Sequence, residues 1–219
     1  MRPLRIAVLA AGLTFALPLA PFSGNDASAS VSIAVAFEAL VAESSSVAVV
    51  TPVEQKSVWE NGRIYTYTRV HSDQGVAGEL ATHGEAWIRT MGGVVGHIGQ
   101  SVDGEPVLTV GRPSLLFLRS GPPGALEVTA RAQGQFPVTL DDTKTQRLMR
   151  SSAVGVLLPP KAASSNAVDS TIRPKATGPA TPAPVPTLAH EVLHQKRLDD
   201  GIREIAAAWK RLHAPSVTK

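Results

Sequence analysis

Five residues near the C-terminus carry the most explicit chemistry in the chain: His190-Glu191-Val192-Leu193-His194, an H-E-x-x-H. On a helix, residues four apart share a face, so both imidazoles can reach one Zn²⁺ while the intervening carboxylate acts as general base of a hydrolase. Zinc is therefore the one cofactor the sequence raises, with His190 and His194 as ligands and Glu191 as the catalytic group. The residues beyond the motif do not complete it. A metzincin would continue with Gly three residues after the second His and a third His three further on, where this chain has Arg197 and Asp200. Glu204 is the only later Glu, ten residues past His194 and about 15 Å along the same predicted helix. The preferred reading has no cofactor and no favoured catalytic residue, with the two histidines and Glu191 on an amphipathic helix. A zinc-dependent hydrolase is the alternative.

Other chemistry-bearing residues are scattered. Gly92-Gly93-Val94-Val95-Gly96-His97-Ile98-Gly99 has phosphate-loop composition, but a nucleotide loop must open directly into a helix, and a strand-like Pro106–Val110 follows instead. It reads as a tight loop between strands, with His97 a candidate contact residue. There is no Gly-x-Ser-x-Gly elbow to anchor a serine hydrolase. His71, His83 and His97 could converge on a metal, although solvated loop histidines are the simpler reading. Tyr65 and Tyr67, with Trp59 and Trp87, could form an aromatic surface for a partner or a glycan. The candidate binding surface is therefore Tyr65, Tyr67 and His97.

The elements that must hold these residues are mostly strands. Ile33, Phe37, Leu40 and Val41 predict one short N-terminal helix. Val47, Val49, Val50 and Val53 then begin a β-branched strand in which Pro52 marks an edge or a bend. Trp59-Glu60-Asn61-Gly62-Arg63-Ile64 is the strongest local signal, because Asn-Gly supplies the two positive-φ residues of a type I′ hairpin. A two-residue loop sets the register: Glu60 opposite Arg63, Trp59 opposite Ile64, Val58 opposite Tyr65, and Glu54 opposite Arg69 if no bulge intervenes. Further short strands are predicted at Glu85–Thr90, Pro106–Val110, Ser114–Leu118, Leu126–Ala130, Phe136–Leu140 and Ala153–Leu158, with Gly and Pro between them. That pattern predicts an all-β fold, a small antiparallel β-barrel or sandwich.

Both ends differ from this middle. Met1–Arg5 holds two arginines, Ile6–Ala20 is an uncharged apolar run, and Ala27-Ser28-Ala29 has the small residues of a cleavage site. Residues 1–29 therefore read as a signal peptide, with a retained anchor as the alternative, and the mature chain is expected outside the cytoplasm, periplasmic or extracellular. Residues 30–158 form the predicted barrel domain. Residues 159–187 hold seven prolines among Ala, Ser and Thr, and read as a disordered linker. Residues 188–213 predict a C-terminal amphipathic helix with Leu198, Ile202, Ile205, Trp209 and Leu212 on one face, which Asp200-Gly201 could split in two, free to dock on the barrel, a partner or a membrane surface. The formal charge of +3 divides unevenly: +1 in residues 1–29, −2 in residues 30–160 and +4 beyond. The basic excess thus lies in the leader and tail, which argues against a nucleic-acid partner. The chain has no cysteine, which excludes disulfides, thiol nucleophiles and cysteine-ligated metals.

The runs Gly62-Arg63-Ile64-Tyr65-Thr66, Arg89-Thr90-Met91-Gly92-Gly93-Val94-Val95-Gly96, Gly99-Gln100-Ser101-Val102-Asp103-Gly104-Glu105-Pro106, Leu115-Leu116-Phe117-Leu118 and Ala132-Gln133-Gly134-Gln135-Phe136 together resemble a recurring pattern in small exported bacterial β-domain proteins with no assigned activity. The resemblance spans roughly residues 35–158 and implies export and a compact domain. The strand order also resembles an OB-type barrel, as in tissue inhibitors of metalloproteinases, which are held by disulfides that this chain lacks. The expectation is thus an exported, non-catalytic β-domain with a binding or structural role toward a protein or cell-envelope partner. The zinc hydrolase is one alternative, and a protease inhibitor or accessory protein is a second.

Overall fold

The computed structural model describes residues 31–80, 82–160 and 186–214. The predicted signal peptide and nearly all of the predicted linker lie outside the described residues. In chain order the elements are β1 (Val31–Ile33), α1 (Phe37–Ala42), β2 (Ser46–Glu60), β3 (Arg63–Gly78), β4 (Glu85–Met91), β5 (Gly93–Val95), β6 (Ile98–Gln100), β7 (Ser114–Ser120), β8 (Leu126–Val128), a 3₁₀ turn (Arg131–Gly134), β9 (Gln135–Leu140), β10 (Gln146–Leu148), β11 (Val156–Leu158), α2 (Ala189–Leu193) and α3 (Leu198–Leu212).

Five strands close on themselves in the order β2-β3-β4-β8-β7 and back to β2. Taken in chain order, β7 lies beside β2, β2 beside β3 and β3 beside β4, which is the Greek-key arrangement of an OB-type barrel. The circuit is antiparallel except where β8 closes it against β4, a short parallel pair with Ile88 beside Leu126 and Arg89 beside Glu127. β9 and β10 extend the sheet from β7.

The hairpin of β2 and β3 has the register that its Asn-Gly turn demands, with Glu60 opposite Arg63, Trp59 opposite Ile64 and Val58 opposite Tyr65. Asn61 and Gly62 have φ of 49° and 77°. A register shift between Pro52 and Glu54 leaves Val53 without a partner, yet Glu54 still meets Arg69, with an ion pair of 3.0 Å. Pro52 falls just past Val50, where pairing with β7 ends, so its missing N–H breaks no ladder.

Two cores share the wall formed by β2 and β7. Ala48, Val50, Leu116 and Leu118 point inward and fill the barrel with Val70, Ile88, Leu108 and Val128. The alternate residues Val47, Val49, Leu115 and Phe117 point outward into a second core. Both faces of β7 are therefore buried, which is why Ser114–Leu118 reads as an unbroken apolar run. The second core is completed by Phe37, Leu40 and Val41 of α1, Leu193 of α2, and Leu198, Ile205 and Ala208 of α3. The C-terminal segment thus packs on the barrel, and backbone bonds fix it there. Phe37 N–H donates to Thr187, Ala189 N–H to Val35, Gln195 N–H to Leu148 and Leu148 N–H to Lys196.

Several expectations shift. Ile33 belongs to β1, paired in parallel with β11, and α1 begins only at Phe37. The C-terminal segment is two helices, but the break falls where the chain is extended at His194 and Arg197, with Arg147 bridging Arg197, and Asp200-Gly201 lies inside α3. Pro106–Val110 is not a strand. Leu108 plugs the barrel while the Gln135 side-chain amide takes the place of a neighbouring strand, accepting from Val107 N–H at 3.0 Å and donating to its carbonyl at 2.6 Å. Gln133 does the same for the N-terminal segment, accepting from Val35 N–H and donating to the Ile33 carbonyl, both at 2.9 Å.

Candidate functional site

Period-two alternation puts Ile64, Thr68, Val70 and Ile88 inside the barrel and sends Tyr65, Tyr67, Arg69, Trp87, Arg89 and Met91 to its outer face. The pairing of β3 with β4 sets Tyr65 beside Met91, Tyr67 beside Arg89 and Arg69 beside Trp87. Arg89 is the centre of this face. Its guanidinium carbon lies 3.5 Å from the centre of the Tyr65 ring. One nitrogen donates to Glu60 at 2.8 Å and another to Glu127 at 3.2 Å. Arg119 donates to the other oxygen of Glu127 at 3.1 Å, and the Tyr67 hydroxyl donates to Glu60 at 2.6 Å.

The network is rigid for physical reasons. The Arg89 side chain is only 16% exposed although it carries a full charge on the outer face. Its planar fork is held by two carboxylates and a ring, so little rotamer freedom remains. The Tyr67 hydroxyl, and then Arg89, hold the Glu60 carboxyl below the usual carboxylate range. The same bond to Glu60 pushes the Tyr67 hydroxyl above the ordinary phenol value. Burial is the largest single influence on Arg89 and works against its charge, but the bond to Glu60 and the attraction of Glu60, Tyr65 and Tyr67 together outweigh it and its pKa rises.

Two depressions flank this centre. One, of about 300 Å³, is bounded by Lys56, Val58, Tyr67, Trp87 and Gly124. The other, of about 240 Å³, is bounded by Tyr65, Arg89, Met91, Glu105, Arg119 and Arg131 among others. In the second, Glu105 holds Arg131 at 2.8 Å and accepts the Met91 N–H at 3.0 Å. A larger groove of about 960 Å³ runs between residues 101–107 and 152–159, with Arg150 and His190 in its wall. It is lined mainly by loop backbone and small side chains, and Arg150 is turned inward to donate to the Val154 and Gly155 carbonyls. The face around Arg89 has the fixed aromatic and charged groups that recognition needs.

The residues singled out in the sequence separate accordingly. Tyr65 and Tyr67 share the outer face, whereas His97 lies exposed at the turn between β5 and β6, away from it. Trp87 joins the tyrosines; Trp59, opposite Ile64, points to the other side of the hairpin. His71 and His83 meet, with ring centres 5.8 Å apart, without His97. Among the described residues no three His, Asp or Glu side chains cluster closely enough to hold a metal. Within the H-E-x-x-H, Glu191 is exposed and accepts the Leu188 N–H at 3.0 Å, capping its own short helix. His190 lines the large groove. His194 accepts the Arg150 N–H at Nδ1, 3.1 Å away. An imidazole accepting at Nδ1 carries its proton on Nε2, the atom a zinc ligand would need free.

Sequence reasoning missed Glu60, Arg89, Arg119 and Glu127. The signal for Arg89 was present, since Trp-x-Arg in a strand puts both side chains on one face. Glu60 was expected to meet Arg63 across the hairpin; its carboxylate instead reaches Tyr67 and Arg89, which offer a hydroxyl and a partly desolvated charge. Glu127 depends on barrel closure and has no local signal. No family model, curated protein or solved structure matches this chain.

Proposed function

We propose that the chain is an exported, non-catalytic binding domain that meets a cell-envelope partner through the outer face of β3 and β4. The observation that carries this reading is the Arg89 cluster: a charged group, two tyrosines and two glutamates fixed at the surface, between two depressions, in a fold whose interior does not need them. OB-type barrels bind ligands on the corresponding strands, a likeness of fold that supports the location and not the partner. The apolar leader and the small residues at 27–29 support work outside the cytoplasm.

Two measurements test it. A phosphatase active only after export, fused behind residues 1–40, should become active, and removal of Ile6–Ala20 should silence it. The purified chain from residue 30 onward should co-sediment with isolated cell envelopes. Trp87→Ala should release it, while Leu140→Ser, an exposed position on β9, should not. Equal retention of both variants would refute the proposed face.

A further inference from the structure

The chemistry of this face also indicates what class of molecule it takes. One in-register row crosses all five barrel strands: Lys56 on β2, Tyr67 on β3, Arg89 on β4, Glu127 on β8 and Arg119 on β7. Its donors Lys56, Tyr67, Arg89 and Arg119 are interrupted by the acceptor Glu127, and Glu60 beside the row supplies a second acceptor, so the face carries both signs. Arg89, Arg119 and Arg131 each already hold a carboxylate, and Glu60 holds both Arg89 and Tyr67. Lys56 apart, an anionic polymer would have to compete with those carboxylates for each cation of the face. A hydroxyl group would displace nothing, because it donates to a free lone pair of a fixed Glu and accepts from a remaining N–H of an adjacent Arg at once.

The two depressions divide the remaining work. Tyr67 and Trp87 border the one of about 300 Å³, where flat, half-buried rings can cover the C–H face of a sugar. Arg89, Arg119, Glu105 and Arg131 border the one of about 240 Å³, which is lined for hydroxyls. One is bordered by Trp87 and the other by Met91, the same-face neighbours of Arg89 along β4, so an occupant filling both is extended and has more than one ring.

We propose that the outer face of β3 and β4 binds an uncharged oligosaccharide, with Trp87 and Tyr67 stacking one sugar ring and the Arg89–Glu60–Glu127 network reading the hydroxyls of the next. This rests on the binding role proposed above and adds the ligand class. Isothermal titration calorimetry of the chain from residue 30 onward would use hexamers of glucose and of N-acetylglucosamine as neutral probes, with a heparin fragment and dodecathymidylate as anionic ones. At least one neutral hexamer should bind with Kd between about 10 μM and about 1 mM. Raising salt from about 50 mM to about 300 mM should change that Kd by less than about twofold, whereas an anionic ligand loses affinity steeply with salt. Trp87→Ala should weaken binding about tenfold, and Tyr67→Phe, which keeps the ring and removes the donor that fixes Glu60, about threefold. Unchanged thermal melting of Tyr67→Phe separates lost recognition from lost folding. Binding of an anionic probe alone, or of no probe while envelopes still retain the protein through Trp87, overturns the ligand class and leaves the binding role standing. Neutral binding unaffected by either substitution overturns the site.

Discussion

At the scale of single residues, the positions that look most exchangeable are often the most constrained. Gly93 has φ of 132°, and a Cβ there would come 2.3 Å from Thr66 Oγ1 and 2.5 Å from Ser57 Oγ. Gly96, three residues on, has φ of 61° and open space around it. Gly93→Ala should therefore cost more than about 2 kcal/mol and Gly96→Ala about 1 kcal/mol, read as midpoints of chemical unfolding. Tyr67 offers a spectroscopic check on the site, because the chain has only two tyrosines. Glu60 raises the pKa of the Tyr67 hydroxyl, so the ultraviolet titration of tyrosinate should extend above the ordinary phenol range, and Tyr67→Phe should remove that extension. Asp141 supplies the clearest pH effect. Thr143 Oγ1, Arg147 and the Thr145 N–H all donate to its carboxylate, which lowers its pKa strongly. The stabilisation is present above the unfolded value near about 4 and is lost as pH falls toward the native value. Asp141→Asn should thus lower the melting temperature at neutral pH, and the gap to the parent should narrow steadily below about pH 4.

At the scale of elements, local chemistry decides register and distant chemistry decides neighbours. The Asn61-Gly62 turn aligns β2 with β3 as far as Glu54 and Arg69 because one two-residue loop leaves a single alignment of opposite charges and apolar pairs. Gly134 is a different case. A Cβ there would come 2.0 Å from the Thr129 carbonyl, so Gln133 and Gln135 can stand on either side of it and hold the segments at Ile33–Val35 and Val107. In α3 a glycine runs against helix propensity for a packing reason. Gly201 lies in the buried face, and a Cβ would meet Leu148 Cδ1 at 2.5 Å. Gly201→Ala should therefore fail to deliver the usual helix gain of about 1 kcal/mol. Leu148→Ala alone should cost about 2–5 kcal/mol, and adding Gly201→Ala to it should restore the missing gain. A cycle in which the two changes simply add would show that Leu148 does not enforce the glycine.

At the scale of the whole molecule, the barrel is only half of the hydrophobic structure. Val47, Val49, Leu115, Phe117 and Phe136 would face water without α2 and α3, which bring Leu193, Leu198, Ile205 and Ala208 over them. Ending the chain at residue 160 should abolish cooperative melting or produce a state that binds hydrophobic dyes, although every strand of the barrel is retained. Of the apolar stripe on α3 that could have met a membrane, Leu198, Ile202, Ile205 and Trp209 are used in this core and Leu212 stays exposed, and no helix among the described residues is long and apolar enough to cross one.

What sequence alone determined about this protein is whatever depends on short separations. The β-rich class, the hairpin register, the two tyrosines on a common face and the uneven charge along the chain all follow from turn chemistry, alternation and composition. Tertiary structure decided what joins residues far apart in the chain. β8 closes the barrel in parallel against β4, bringing Glu127 to Arg89 across 38 positions, and residues 195–197 return to β10, whose Arg147 bonds the Gln195 carbonyl across 48. Neither contact leaves a periodic trace, because each depends on how the closed barrel turns its faces. The same closure makes Arg89, an ordinary strand arginine in sequence, the fixed centre of the candidate site: only when β2, β3, β4 and β8 meet do Glu60, Tyr65 and Glu127 enclose it.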